Sequence, residues 1–242
     1  LNKQTKLLIQ YGHLKKNHTP DDFQKALVNF RSFMEPYSNL DTDSLFEVPR
    51  CGMPDNEIKT GSGSWKVGCH VAGKHSALYR VDKRRMPSFL VSTFEPAWEL
   101  MRQAYEEIGL SIIRDDNTEK YNSLVTFEKG RGWIGLAIVG RGHTCNTRIW
   151  AKFDTVYKPN DLLNQWARLL AHELGHNCGL SHSRGGIMNP SILPGKFDRT
   201  AWLNDPSYEI LKRWFGIKPT TPPIWTIPNA TTSLDNPSRS YR

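Results

Sequence analysis

The chain has 242 residues, 38% of them hydrophobic and 23% charged, with eight Trp, ten Phe and eight Tyr. So many aromatics exclude wholesale disorder, and no apolar run approaches the ~20 residues that cross a bilayer. The net charge of +8 lies outside residues 1–58, which hold seven Lys/Arg against eight Asp/Glu. No basic run alternates with aromatics as a groove for single-stranded nucleic acid requires, so the excess charge reads as solvated surface and no nucleic-acid partner is expected. Lys83-Arg84-Arg85 reads as an exposed turn. The sequence opens Leu1-Asn2-Lys3, without an initiator Met, as a mature or trimmed form does.

Residues 1–58 read as a small helical unit. Apolar residues cluster at Leu7–Tyr11. Thr19-Pro20-Asp21 then starts a second helix, with Thr19 as N-cap and Pro20 at the first helical position. Phe23, Ala26, Leu27, Phe30 and Phe33 follow at helical spacing. Asp41 opens a short third helix. The stretch Val48–Asp55, with Pro49, Gly52 and Pro54, reads as extended. Thr60–Ser64 is a linker or turn. Strands are expected over His75–Val81, Leu110–Ile113, Leu124–Phe127, Trp133–Val139 and Thr147–Phe153, with a helix over Ser88–Ile108. That order predicts a mixed sheet backed by a helix. A long helix capped by Asn160 or Asp161 ends at Gly179, and a last one runs from Asp205-Pro206 to Gly216. Residues 219–242, rich in Pro, Thr and Ser, read as a mobile tail or linker.

The chemistry concentrates in His172-Glu173-Leu174-Gly175-His176, followed by Gly179 and His182. Histidines four apart on a helix lie one above the other, so both imidazoles can reach one ion. Glu173 follows the first and can face water on that ion, which makes it the general base. Gly179 takes positive φ readily and lets the chain turn His182 back toward the metal. Three neutral nitrogen ligands with an open fourth position mark a catalytic zinc. Met188 follows within Gly185-Gly186-Ile187-Met188-Asn189-Pro190, a tight turn just past the third ligand.

This combination resembles the Met-turn of the metzincin metalloproteases. Within that clan the chain resembles the matrixins, the matrix-metalloproteinase-like enzymes. Ser183 follows the third histidine, and Met188-Asn189-Pro190-Ser191 resembles the family's Met-x-Pro-Ser. Pro49-Arg50-Cys51-Gly52-Met53-Pro54-Asp55 matches its cysteine-switch motif at every fixed position. The likeness runs from about residue 5 to residue 218.

The resemblance implies an α+β metzincin-like catalytic domain: a twisted mixed five-stranded sheet with a backing helix, an active-site helix and a C-terminal helix. A three-helix propeptide precedes it. The units are then residues 1–58, the catalytic domain 59–218 and the tail 219–242. A secreted, extracellular, monomeric zymogen is implied, with one zinc held by His172, His176 and His182. Cys51 takes the fourth position in the latent form, and Arg50 pairs with Asp55 to stiffen the loop. An extended protein substrate would pair with the edge at Leu136 and Ala137 and meet a wall at Pro190 and Ile192. Ile138 stands where the family has a second-zinc ligand, so one zinc is expected; no clear calcium motif is present, and calcium is left open. His143 is a leftover loop histidine. Pro206-Ser207 occupies the place of an acidic pair, so an activation salt bridge is expected to be lost. Cys178 should be a buried free thiol, which leaves Cys69 and Cys145 as the pair available for a disulfide. The competing reading is a permanently latent or non-catalytic adhesion module. It would use the basic domain and the helical segment, which resembles peptidoglycan-binding bundles.

Overall fold

The computed structural model describes residues 2–34, 37, 39–48, 50–55, 76–86, 88–121, 123–128, 134–137, 145–150, 161–191, 195–215 and 225. Three short helices open the chain: α1 (Lys3–Gln10), α2 (Pro20–Phe33) and α3 (Thr42–Glu47). Each begins at a side-chain cap. Asn2 accepts from the Thr5 amide, Asp41 from Ser44, and Thr19 and Asp22 form a reciprocal capping box with Pro20 at the first turn. Such caps satisfy amides that have no partner within the helix. The helices close over Leu8, Tyr11, Ala26, Phe30, Met34 and Leu45. Phe30 and Phe46 stack with ring centroids 4.5 Å apart.

The second core belongs to a mixed α+β layer structure. Its strands are β1 (Ser76–Asp82), β2 (Ser111–Arg114), β3 (Ser123–Glu128), β4 (Gly135–Ala137) and β5 (Cys145–Trp150). They lie in the order β2-β1-β3-β5-β4. The β1–β2, β1–β3 and β3–β5 pairings are parallel, whereas β4 runs antiparallel to β5 and forms an edge. Burial alternates along β1, with Ala77, Tyr79 and Val81 facing the core, as the period of two requires.

Two long helices cover this layer: α4 (Ser88–Glu107) and α5 (Leu162–Asn177). Phe94 of α4 meets Phe127 and Trp166 edge-on, at 5.6 and 6.2 Å between centroids, a favoured aromatic geometry. Nearly every residue of α5 from Gln165 to Asn177 is buried, Arg168 excepted. A helix enclosed on all sides is a central element, not a surface one. Helices α6 (Arg199–Leu203) and α7 (Pro206–Phe215) complete the described secondary structure. No helix among the described residues is long and apolar enough to cross a membrane.

Cys178 is a buried free thiol packed in the larger core. The Lys83–Arg85 tripeptide forms an exposed 3₁₀ turn in which Arg84 pairs with Asp82. One residue of 219–242 is described. Trp225 packs against the larger core, its indole N–H 3.2 Å from Glu107 Oε2 and its ring 6.0 Å from that of Phe197. Pro/Thr composition dominates the reading of 219–242 and hides a large aromatic that has a surface to bury. The other residues of 219–242, the 60–64 turn, Cys69, Ile138, His143 and Ile192 lie outside the described residues, as do the side chain of Cys145 and the ends of the Trp133–Val139 strand.

If Phe94 anchors the larger core, Phe94→Ala should cost about 3–5 kcal/mol of unfolding free energy. Val28→Ala, at a position 69% exposed on α2, should stay within about 0.5 kcal/mol. Urea unfolding of the two variants tests the contrast; equal midpoints would contradict this assignment of the core.

Candidate metal centre

Helix α5 presents His172 and His176 one turn apart. It ends at Gly179, whose φ of 92° is the left-handed conformation that glycine adopts freely. The Leu180 amide bonds back to the Gly175 carbonyl at 2.9 Å, closing the helix as a glycine-terminated cap does. The same turn brings the Leu180 carbonyl to 2.8 Å from His176 Nδ1. The chain then returns His182 so that its Nε2 lies 3.2 Å from that of His176 and 3.3 Å from that of His172. The His172 and His176 Nε2 atoms are 3.1 Å apart. Cys51 Sγ comes from the other core's side of the molecule and stops 3.6 Å from His176 Nε2. All four ligand atoms lie within 4.8 Å of one another and all four residues are buried, close enough to hold a metal ion.

Each imidazole is oriented from behind. His172 Nδ1 lies 2.7 Å from the Ile187 carbonyl, His176 Nδ1 faces Leu180, and His182 Nδ1 lies 2.7 Å from Asp55 Oδ1. Carbonyl and carboxylate oxygens only accept, so each Nδ1 carries the proton and each Nε2 lone pair points inward. Burial keeps the rings neutral: His172 is pushed down to about 3, with His176 and His182 also lowered chiefly by burial. Neutral imidazole is the form that ligates metal. Burial also raises the Cys51 thiol, a tendency that a cation at the centre of the cluster reverses.

The floor beneath the histidines is the turn at Gly186–Met188. A Cβ on Gly175 would sit 2.5 Å from Met188 Sδ, so glycine lets α5 settle onto the methionine. Asp205 holds this turn from below: its carboxylate accepts from the Ile187 amide at 2.5 Å and from the Ser207 amide at 2.8 Å. In the sequence Asp205 reads only as the start of the last helix, beside Pro206-Ser207. Its position just before a helix-starting proline was the available signal.

Glu173 is fully buried; neither carboxylate oxygen meets hydrogen-bond geometry with a partner among the described residues, and the neighbouring Cys51 thiol is the one group that favours its charged form. Burial pushes its carboxyl well above the usual range. Gly135 of β4 leaves room for it, since a Cβ there would lie 2.0 Å from Glu173 Oε1.

Residues 50–52 lie between β4 and the 189–191 segment. The Ile134 amide donates to Arg50 O at 2.9 Å, Gly52 N–H to Gly135 O at 2.8 Å, and Cys51 N–H to Pro190 O at 2.7 Å. The segment bridges parallel to Gly135 and antiparallel to Ser191. Ile134 and Gly135 thus supply the edge bonds, beside the expected Leu136 and Ala137; Leu136 is half-buried and Ala137 buried. Asn189 shapes the opposite wall. Its Oδ1 accepts from Ser191 N and Oγ at 3.0 and 2.6 Å, and its amide reaches Phe33 O of α2 at 3.2 Å.

Arg50 pairs with Asp55 as anticipated, and its guanidinium lies 3.8 Å over the Tyr11 ring. Asp55 also accepts from His13 Nε2 at 2.5 Å. Burial opposes the charge on Asp55, but hydrogen bonds from His13 and His182 and the Arg50 charge outweigh it and hold the carboxyl below its ordinary range. Tyr11, His13 and Asn189 escaped the sequence reading because no spacing links them to the site.

No protein-family model matches the chain, and no curated protein matches it.

Gly135→Ala should destabilise the full chain by about 1–3 kcal/mol, the usual range for overpacking. Glu173→Ala in the same chain should restore part of the loss. Recovery is incomplete because Leu169 Cδ1 also lies 2.7 Å from the added methyl. Urea unfolding of the two single variants and the double variant checks this; independent, additive losses would count against the contact.

Proposed function

We propose that this protein is a latent zinc endopeptidase of matrixin type, secreted as a monomeric zymogen whose residues 1–58 act as an intramolecular inhibitor. The observation that carries the proposal is the buried cluster of three inward-facing Nε2 atoms and one thiol, with an unpartnered carboxylate beside it. Tetrahedral zinc with nitrogens at 2.0–2.1 Å and sulfur at 2.3 Å implies N···N separations of about 3.3–3.4 Å and S···N of about 3.6 Å. The N···N separations of 3.1–3.3 Å and the Cys51–His176 separation of 3.6 Å come close to that geometry, with all four ligand atoms within 4.8 Å of one another. The three-histidine set with a replaceable fourth ligand supports a catalytic role over a purely structural one. The described α+β layers, with an edge strand over the metal helix, are compatible with a metzincin-like fold.

Zinc, when bound, supplies the Lewis acidity that makes a water nucleophilic near neutral pH and polarises a carbonyl. The protein supplies the rest. Glu173 would accept the water's proton on a carboxylate oxygen and return it to the departing amide nitrogen. A structural scaffold has no use for an unpartnered buried carboxylate, which costs stability; this favours an enzyme over a binding module. The edge at Ile134–Ala137 and the wall at Pro190 would hold an extended protein substrate by backbone hydrogen bonds, as they hold residues 50–52. In the latent state Cys51 occupies the position that the water needs.

The purified chain should contain about one zinc. Cys51→Ala should raise proteolytic activity or trigger self-cleavage. Glu173→Ala, made in the Cys51→Ala chain, should keep the zinc and lose at least two orders of magnitude in turnover, the usual scale of general-base catalysis. Fluorogenic peptide assays with metal analysis decide the matter. A zinc-loaded Cys51→Ala chain with no activity on any peptide would favour the permanently latent module instead.

A further inference from the structure

We propose that Asp55, on the inhibitory segment, is also a positioning residue of the metal centre: through His182 it helps the protein retain its ion. This inference rests on the zinc reading of the cluster given above. Two of the three ligands take their outer hydrogen bonds from backbone carbonyls of the segment that builds the centre, Leu180 for His176 and Ile187 for His172. Those contacts belong to the larger core. His182 is different. Its Nδ1–H is held 127 residues away in sequence by a carboxylate that belongs to the helical unit.

That carboxylate is fixed on every side. Asn29 Nδ2 lies 3.0 Å from His13 Nδ1, and an amide NH₂ only donates, so His13 Nδ1 accepts and His13 Nε2 carries the proton given to Asp55. Arg50 pairs with the oxygen that His182 also uses. The Asp55 amide donates to Tyr11 O at 2.9 Å. The His13, Asp55, His182 and Arg50 side chains are all between 0 and 3% exposed, so water competes little for these bonds. A carboxylate behind a ligating imidazole fixes the ring and makes its other nitrogen more basic, and loss of such a partner typically weakens metal affinity about 10–100-fold. The helical unit therefore completes the centre twice, directly with the Cys51 thiolate and at one remove with Asp55. The simpler role, stiffening the loop through Arg50, would touch the metal only by way of Cys51.

A double-mutant cycle separates the two. Zinc retention is measured on the full chain by competition with a chromophoric chelator, for the parent, Cys51→Ala, Asp55→Asn and the double variant, all four carrying Glu173→Ala so that none can cleave itself. Asp55→Asn should weaken retention about 10–100-fold, and by a comparable factor when Cys51 is already gone. A double variant that holds zinc as well as Cys51→Ala alone would overturn the proposal, because Asp55 would then act only through the thiol. A parent chain that folds yet binds no zinc would overturn the metal reading itself, and this inference with it. If Asp55→Asn fails to fold, the zinc-loaded parent labelled with ¹⁵N-histidine gives the answer. The His182 Nδ1–H proton should resist solvent exchange as those of His172 and His176 do, and exchange at the rate of an exposed imidazole would refute the contact.

Discussion

The hydrogen bond behind each imidazole is the constraint around which the centre is organised. Three ring nitrogens brought within 3.1–3.3 Å of one another present converging lone pairs, which repel unless a cation lies between them. The rings keep that arrangement because each outer N–H is captured by an acceptor that cannot move. Everything nearby serves those acceptors. The left-handed glycine after α5 delivers the Leu180 carbonyl, and Asp205 braces the turn that carries the Ile187 carbonyl. Burial of α5 against α4, β4 and β5 holds the backbone to which they belong. Since buried polar groups are costly when unpaired, the order of the site follows from completing these bonds.

The seating of residues 50–52 follows the same rule. They are held by three backbone hydrogen bonds, two on the β4 side and one on the wall, so their placement does not depend on the thiol alone. Arg50 is the connection back to the helices. A buried guanidinium needs a carboxylate, and here it also has an aromatic face, Tyr11. Cation–π contact strengthens when desolvated. Coupling between metal and helical unit is necessarily mutual: whatever the unit adds to metal affinity, the metal adds to the unit's docking.

Much of this was legible in the sequence, for identifiable reasons. The helix caps at Thr19 and Asp41, the turn at Gly179 and the ligand spacing His172/His176/His182 are local, and local chemistry reads directly from neighbouring letters. The Arg50–Asp55 pair was read from a motif match. The residues that escaped, His13 and Asn189, are those whose partners lie far away in sequence. His13 meets Asp55 across 42 positions and Asn189 meets Phe33 across 156, and no periodicity encodes such meetings. Trp225 was hidden by the composition around it. The edge bonds fell at Ile134 and Gly135 because a backbone ladder is set by register, which side-chain identity specifies only loosely on a short edge strand.

The seating of residues 50–52 between two separately packed hydrophobic clusters has a consequence for dynamics. Amide protons exchange with solvent when the unit that protects them opens, and such units open at different free energies. The amides of Cys51 and Gly52 are protected by carbonyls of the larger core, yet they belong to a segment anchored in the smaller one. They will therefore exchange with the departure of the helices, not with global unfolding. The opening that exposes them is the same motion that uncovers Glu173. Slow exchange at these two positions is thus a measure, within the intact molecule, of how often the cleft stands open.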